Sequence, residues 1–234
     1  MTGPRRLLVT GANRGLGRAL CEYFLARGDR VVGCSRGKSD LAAERYTHFR
    51  LDVADEAAVQ RLFAEVRATT GGLDALVNNA GMASMNPIAL TTAERARRVI
   101  DANLVGTFLF TRAAIRLLRS SSNGRIVNLT SVAVPMRLEG EALYAATKSA
   151  IETFTRITAR EVASFGITCN AVGPCPVRTR LTESVPPEKI QALIDRQAIR
   201  RWAQPSDVAN VVDFFLRPES GMVTGQVVYL GGAG

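Results

Sequence analysis

Of the 234 residues only one is histidine, His48, so the chain has few groups that titrate near neutrality. A Ser-His-Asp or Cys-His mechanism would need His48 as its base, yet His48 opens the run His48-Phe49-Arg50-Leu51 and reads as a strand position. Cysteine is scarce as well. Cys21, Cys34, Cys169 and Cys175 contain no C-x-x-C pair, and with one histidine they make no ordinary zinc site, so no metal is expected. They read as small buried hydrophobes in a reducing compartment. Long uncharged apolar runs are missing too, none approaching the roughly 18 residues that a membrane span requires. Arg5 and Arg6 precede only Leu7, Leu8 and Val9 before polar Thr10, too little for a signal-peptide core. A cytoplasmic location with no membrane partner is expected. Aromatic residues are 6% of the chain, which leaves no stacking platform for single-stranded nucleic acid.

What is present is globular in balance. Hydrophobic residues are 47% and charged residues 22%, enough apolar surface to offset the ordering entropy of a folded chain. The length suits one ordinary α/β domain or at most two small ones. Repeats, low-complexity tracts and Pro/Gly/Ser-rich linkers are not seen, so residues 1–234 are read as a single domain. The net charge of +9 suggests an anionic ligand, nucleic acid or an acidic partner. Its distribution argues against nucleic acid: Arg95, Arg97, Arg98, Arg112, Arg116 and Arg119 recur among apolar residues at helical spacing, as on solvated helix faces.

Short β-branched runs alternate with segments of 3.6-residue period. Strands are expected over Leu7 to Thr10, Val31 to Ser35, His48 to Val53, Ala75 to Ala80, Arg125 to Ser131, Ile167 to Val172 and Gln226 to Leu230. Helices are expected over Leu16 to Arg27, Glu56 to Ala68, Ala93 to Arg119, Tyr144 to Ser164, Pro187 to Gln197 and Ser206 to Leu216. Alternating βα order implies right-handed crossovers and a seven-stranded, doubly wound parallel sheet with helices on both faces. Two segments break the rhythm. Val132 to Leu143 carries Pro135 and Gly140, and Pro174 to Pro187 holds four prolines. Both follow carboxyl ends of strands, where such sheets bind ligands, and the second suggests a mobile substrate lid at about 178–203.

Thr10-Gly11-Ala12-Asn13-Arg14-Gly15-Leu16-Gly17 stands where the first strand turns into the first helix. Glycines there allow a tight turn and let a pyrophosphate approach N–H groups at a helix N-terminus. The spacing is G-x-x-x-G-x-G rather than the commoner dinucleotide fingerprint G-x-G-x-x-G. Asp52-Val53, Asn78-Asn79-Ala80-Gly81, Asn103, Ser131, Tyr144-x-x-x-Lys148 and Pro174 through Thr179 follow in order. With these motifs the chain resembles the short-chain dehydrogenase/reductase family from Leu7 to Gly232, and overall it is most similar in type to the 3-oxoacyl-[acyl-carrier-protein] reductases. The resemblance implies a Rossmann-type fold and a carbonyl reductase.

Tyr144 and Lys148 also make chemical sense by themselves. Four residues apart on a helix, they share a face. A neighbouring ammonium favours phenolate and is expected to draw the tyrosine pKa from about 10 towards the working pH, making a general acid or base. The resemblance implies that Ser131 orients the carbonyl, Tyr144 exchanges the proton, Lys148 holds the nicotinamide ribose and Asn103 completes a water-linked relay. It further implies that Gly11, Asn13, Arg14, Gly15, Leu16 and Gly17 cradle the cofactor and that Asp52 and Val53 border its adenine. Asn79, Ala80 and Gly81 would line its cleft, with Pro174, Val177 and Thr179 at the nicotinamide carboxamide.

An NAD enzyme usually places a carboxylate about twenty residues past the glycine-rich turn. Here Ser35 stands at that place, followed by Arg36, and the resemblance implies that Arg14, inside the turn itself, is a second 2′-phosphate partner. Guanidinium geometry suits a 2′-phosphate, so NADPH is expected over NADH. Two departures from the family pattern stand out: Cys175 replaces the usual glycine after Pro174, bringing a thiol near the cleft, and Leu230 replaces an acidic residue before Gly231-Gly232.

A non-catalytic dinucleotide-sensing relative and an alcohol dehydrogenase working in the opposite direction are the competing readings. The first commonly loses the tyrosine or lysine, and both are present. The carbonyl itself stays open, since specificity resides in the two irregular loops. In carrier-specific reductases a basic residue precedes the Gly-Arg-Ile of the fifth strand and another the Gly-Ile-Thr of the sixth; Ser122 and Phe165 stand there, with Arg119 and Arg125 as possible substitutes. The resemblance implies a homotetramer or homodimer in which the helices over roughly Asn103 to Arg119 and Tyr144 to Ser164 pair across a two-fold axis. Leu104, Phe108, Ala114, Leu118, Ile151, Phe154, Ile157 and Val162 offer apolar surface that fits this.

Overall fold

Alternation along the first strand already divides the molecule into two layers. In the computed structural model, which describes residues 3–179, 182 and 185–232, β1 (Arg6–Thr10) sends Leu7 and Val9 to one face and Leu8 to the other. Six more strands join it: β2 (Arg30–Ser35), β3 (Tyr46–Arg50), β4 (Ala75–Asn78), β5 (Arg125–Leu129), β6 (Thr168–Gly173) and β7 (Val227–Tyr229). All pairings are parallel, in the order β3-β2-β1-β4-β5-β6-β7. Helices α1 (Gly15–Ala26) and α8 (Pro205–Leu216) cover the first face through Leu20, Phe24, Val208, Val212 and Phe215. The other face is covered by α2 (Glu56–Thr70), α4 (Gly106–Leu118) and α6 (Ala142–Val162) through Leu62, Val66, Phe110, Leu118 and Val162. Between them lie α3 (Ala93–Ile100), the short α5 (Ala133–Met136) and α7 (Pro187–Asp195). This is the expected doubly wound α/β architecture, and its winding reverses between β1 and β4. Among the described residues no helix is long and apolar enough to cross a membrane.

The differences from expectation have local causes. β3 runs Tyr46–Arg50 rather than His48 to Val53, because Arg50 is paired with Ser35, the last residue of β2. Asp52 then turns back, its carboxylate accepting the Ala54 N–H at 3.0 Å. β4 stops at Asn78 because the N–H groups of Asn79 and Ala80 both donate to Thr10 Oγ1. The helix expected over Ala93 to Arg119 is broken by a π-helical turn, Asp101–Val105. The βα alternation fails once, where the ten residues 36–45 connect β2 to β3 without a helix. Leu41 and Tyr46 pack on the first face there. Val177 forms a parallel bridge with Ala203, joining the two ends of the expected lid; Arg180, Leu181, Glu183 and Ser184 lie outside the described residues.

The apolar positions expected to face a partner divide. Ala114, Leu118, Ile151 and Val162 are buried within their own subunit, whereas Phe108 and Ile157 are exposed at 43% and 53%. Leu104 and Phe154 are half-buried.

Candidate active site

The carboxyl ends of β1, β4 and β5 bring the motifs together. Gly17 sits so close beneath the first turn that a Cβ there would stand 2.3 Å from Gly11 O. Any side chain would force the turn away from α1, so the sequence needs glycine at this point. Asn79 secures the same turn from the neighbouring strand, its side-chain amide donating to Thr10 O at 2.8 Å. Its side chain therefore supports the loop instead of projecting from it. Asn13, Gly15 and half-buried Leu16 complete the entry to α1, and Thr179 approaches the turn, 3.5 Å from where a Gly15 Cβ would stand.

Asn103 lies in the π-helical turn and is 1% exposed. Its amide nitrogen donates to Thr147 Oγ1 (2.9 Å) and Met82 O (3.1 Å), while its oxygen accepts the Met82 N–H (2.8 Å). The π turn thus places the amide between α6 and the loop after β4. Across that loop is Lys148, 5% exposed, whose ammonium donates to Leu129 O at 2.7 Å. A Cβ on Gly81 would stand 3.2 Å from Asn103 Oδ1 and 3.4 Å from Lys148 Nζ, so both polar ends face one point above Gly81.

Tyr144 and Lys148 share a face of α6, with the ammonium 5.9 Å from the ring centroid. Ser131, after β5, interacts with the phenol and favours its ionised form. Burial outweighs that influence, and with the nearby Glu141 carboxylate it pushes the Tyr144 pKa up to about 12. The expectation that Lys148 draws this pKa down towards neutrality is corrected here. Burial also pushes the Lys148 pKa down to about 8, because a buried ammonium loses its hydration. The site thus holds a protonated phenol beside a cation that titrates near neutrality.

Towards the outer edge, Arg14 and Arg36 are exposed, and the nearest carboxylate to Arg36 is Asp52 at 4.0 Å. Val53 is buried under α4 at Gly106, and Ala80 packs on the same core face. Ser35 is placed differently from Arg36. Its hydroxyl is turned inward, bonded to Gly37 O (3.0 Å) and His48 Nε2 (3.0 Å). Pro174 O accepts the Val132 N–H (3.2 Å), and Val177 is buried in the first core. Cys175 is not brought to the Lys148 side of the sheet. It lines a cavity of about 220 Å³ with Ile199, Arg201, Asp207 and Leu230, beside α8.

Thr10 and Thr147 support this arrangement without having been singled out in the sequence. A hydroxyl at the last position of β1 was the only available sign for Thr10, and Thr147 lies among helix residues with no marker. Among the described residues no cluster of His, Cys, Asp and Glu could hold a metal ion.

A family model described as enoyl-(acyl carrier protein) reductase matches residues 11–232. The 3-oxoacyl-[acyl-carrier-protein] reductase FabG of Escherichia coli K12 is 33% identical over 231 residues, covering 96% of this chain and 95% of that protein. Its counterpart from Staphylococcus aureus Mu50 is 34% identical over 243 residues, covering 99% and 98%. Among solved structures, ligand-free Thermoplasma acidophilum aldohexose dehydrogenase superposes with a TM-score of 0.90 at 29% identity, covering 99% of this chain and 94% of that one. The 3-oxoacyl-[acyl-carrier protein] reductase of Brucella melitensis gives 0.89 at 34% identity, covering 98% and 91%.

Proposed function

Because the chain belongs to the short-chain dehydrogenase/reductase family and is an oxidoreductase, we propose that it reduces a ketone to a secondary alcohol with NADPH. The supporting observation is the convergence of Asn103, Lys148 and Gly81 one helical turn from Tyr144. A nicotinamide dinucleotide fits the residues around it. The close approach at Gly17 and the N-terminus of the twelve-residue α1 suit a pyrophosphate, and Lys148, with one hydrogen bond to Leu129 O, keeps donors for a ribose. Gly11, Asn13, Gly15 and Leu16 would surround the phosphates, Asp52 and Val53 the adenine, and Asn79, Ala80 and Gly81 the cleft floor. Pro174, Val177 and Thr179 would border the carboxamide.

A nicotinamide bound there would supply the hydride for the carbonyl carbon. Ser131 holds the carbonyl oxygen, and Tyr144 gives that oxygen its proton, so hydride and proton together complete the alcohol. Burial keeps the phenol protonated and ready for this direction of reaction. Lys148 stabilises the phenolate left behind, and Asn103 completes the water-linked relay that returns its proton.

The 2′-phosphate is assigned to Arg14 and Arg36. Charge-assisted hydrogen bonds contribute roughly 1.5–3 kcal/mol each, so NADPH is expected to exceed NADH more than tenfold in kcat/KM. Following NADPH oxidation across a panel of ketones tests the activity and the preference together. Equal kcat/KM for the two cofactors rejects the arginine assignment, and no oxidation with any carbonyl rejects the reductase.

The similar 3-oxoacyl reductases are named for carrier-linked substrates. For this chain we assign a free, CoA-linked or pathway-specific carbonyl, because Ser122 and Phe165 replace two docking cations. Arg125 is buried and offers no surface charge in compensation. Arg119 stacks its guanidinium over the Phe165 ring at 4.2 Å from the centroid, a single cation where two are needed. Competition between an acyl-carrier-linked β-ketoester and its N-acetylcysteamine analogue should show less than about a hundredfold carrier preference, near 2.7 kcal/mol; a larger ratio rejects the assignment.

A homotetramer or homodimer formed through α4 and α6 completes the proposal. Phe108 and Ile157 remain exposed on those helices, and covering them favours association. Light scattering at micromolar concentration should give a multiple of 25.2 kDa; a monomer mass contradicts it.

A further inference from the structure

His48 is the one histidine of the chain, and the proposed chemistry makes no use of it. It stands on β3, directly behind the turn that carries Arg36. Its Nε2 lies 3.0 Å from Ser35 Oγ and 3.1 Å from Gly37 O, and its Nδ1 lies 3.0 Å from the Tyr46 hydroxyl. We assign the tautomer with the hydrogen on Nε2, which faces the Gly37 carbonyl, an acceptor only. Nδ1 then accepts from Tyr46, whose hydroxyl also lies 3.5 Å from Ser39 Oγ. Ser35 then gives its own hydrogen to Gly37 O at 3.0 Å.

Tyr46 is fixed in turn by the sheet. A Cβ on Gly33 would stand 2.4 Å from the Tyr46 hydroxyl oxygen and 2.8 Å from Ala12 Cβ, so glycine lets the ring lie across β2 against the first turn. The β2–β3 connection has no helix, and Tyr46 helps to cover the face that such a helix would shield. Two residues beyond His48, Arg50 Nε donates to Arg36 O at 2.9 Å. Side chains of β3 therefore hold the carbonyls of both Arg36 and Gly37, while the Arg36 guanidinium remains exposed.

We infer that His48 is a positioning residue that fixes the Ser35–Gly37 turn and so sets discrimination for adenosine carrying a 2′-phosphate. The inference rests on the assignment of Arg36 to that phosphate. An anchored turn presents its cation already ordered, so less conformational freedom is lost when the anion binds. Adenosine without the phosphate makes no use of the cation and gains nothing from the anchoring.

Calorimetric Kd values for 2′,5′-ADP and 5′-AMP, which differ only in the 2′-phosphate, test this without turnover. Wild type is expected to bind 2′,5′-ADP at least tenfold more tightly. His48→Phe should cut that ratio at least fivefold through the bisphosphate alone, with 5′-AMP held within twofold. His48→Gln keeps an amide N–H for Gly37 O and should restore the ratio to within twofold of wild type. Tyr46→Phe keeps the ring over Gly33 but frees Nδ1; it should lower the ratio at least twofold and serves if His48→Phe does not fold. An unchanged ratio in His48→Phe and Tyr46→Phe overturns the inference, as does equal loss in the Phe and Gln variants at position 48. A wild type that does not distinguish the two ligands instead overturns the NADPH assignment itself.

Discussion

Tyr144→Phe is expected to lower kcat by about 10²–10⁴, the usual contribution of a positioned general acid, while cofactor Kd stays within about twofold. The substitution removes one oxygen from a ring packed at the start of α6 and leaves the glycine-rich turn, Lys148 and Asn103 in place. Retention of more than about a tenth of wild-type kcat would mean that another group delivers the proton. Lys148→Ala should damage both kcat and cofactor affinity, because the ammonium is proposed to serve the phenol and the ribose together. The pH dependence separates the two residues. With Tyr144 pushed up to about 12, its phenol stays protonated throughout the neutral range and cannot cause a loss of reduction near pH 8. Lys148, pushed down to about 8 by burial, sheds its charge there. In the free enzyme kcat/KM for reduction should therefore fall as pH rises through about 8, and Lys148→Arg should lack that limb.

The parts of this site that could be read in the sequence are those where spacing alone constrains geometry. Tyr144 and Lys148 share a helix face because four residues exceed one turn only slightly, and the glycines mark a strand-to-helix turn because few other residues fit it. The doubly wound sheet was legible for the same reason, through periods of two and of 3.6 residues. What was hidden depends on contacts between distant segments. The π turn at Asn103 has no periodic signature: the side chain satisfies its hydrogen bonds at Met82 and Thr147, far apart in sequence. The end of β4 is set by Thr10 of another strand. Ser35 could be placed beside the cofactor by position, but the inward turn of its hydroxyl depends on His48, which arrives from β3. The expected pKa of Tyr144 failed because its burial, which with the Glu141 carboxylate raises the value, was not visible in a local pattern.

Asp213→Ala is expected to cost about 3 kcal/mol of stability, the lower part of the range for breaking a buried ion pair, without changing kcat below the unfolding range. Asp213 is fully buried on α8 and receives Arg5 at 2.9 Å, Arg217 at 3.0 Å and Arg27 at 3.6 Å. Arg5 also grips Asp29 at 2.7 Å, so the cluster binds the start of β1, the approach to β2 and α8 into one unit. Removal of the carboxylate leaves Arg5 with only Asp29, inside a region that water reaches poorly. Arg27 and Arg217 are about half exposed and can regain hydration, which keeps the cost below the upper limit near 5 kcal/mol. For a chain of this size 1 kcal/mol corresponds to about 2–4 °C in melting temperature, so Tm should fall by about 6–12 °C. Asp213→Asn keeps the shape and an acceptor oxygen but loses the charge, and should lie between wild type and Asp213→Ala. The cluster gathers where β1 and β2 begin, whereas Asn103, Tyr144 and Lys148 gather where strands end, so stability and catalysis should separate in this variant. Denaturant melts read beside single-temperature kcat decide the matter: a loss under about 1 kcal/mol would show that the three arginines are held by packing, and a lower kcat at full folding would show that the two ends of the sheet are coupled.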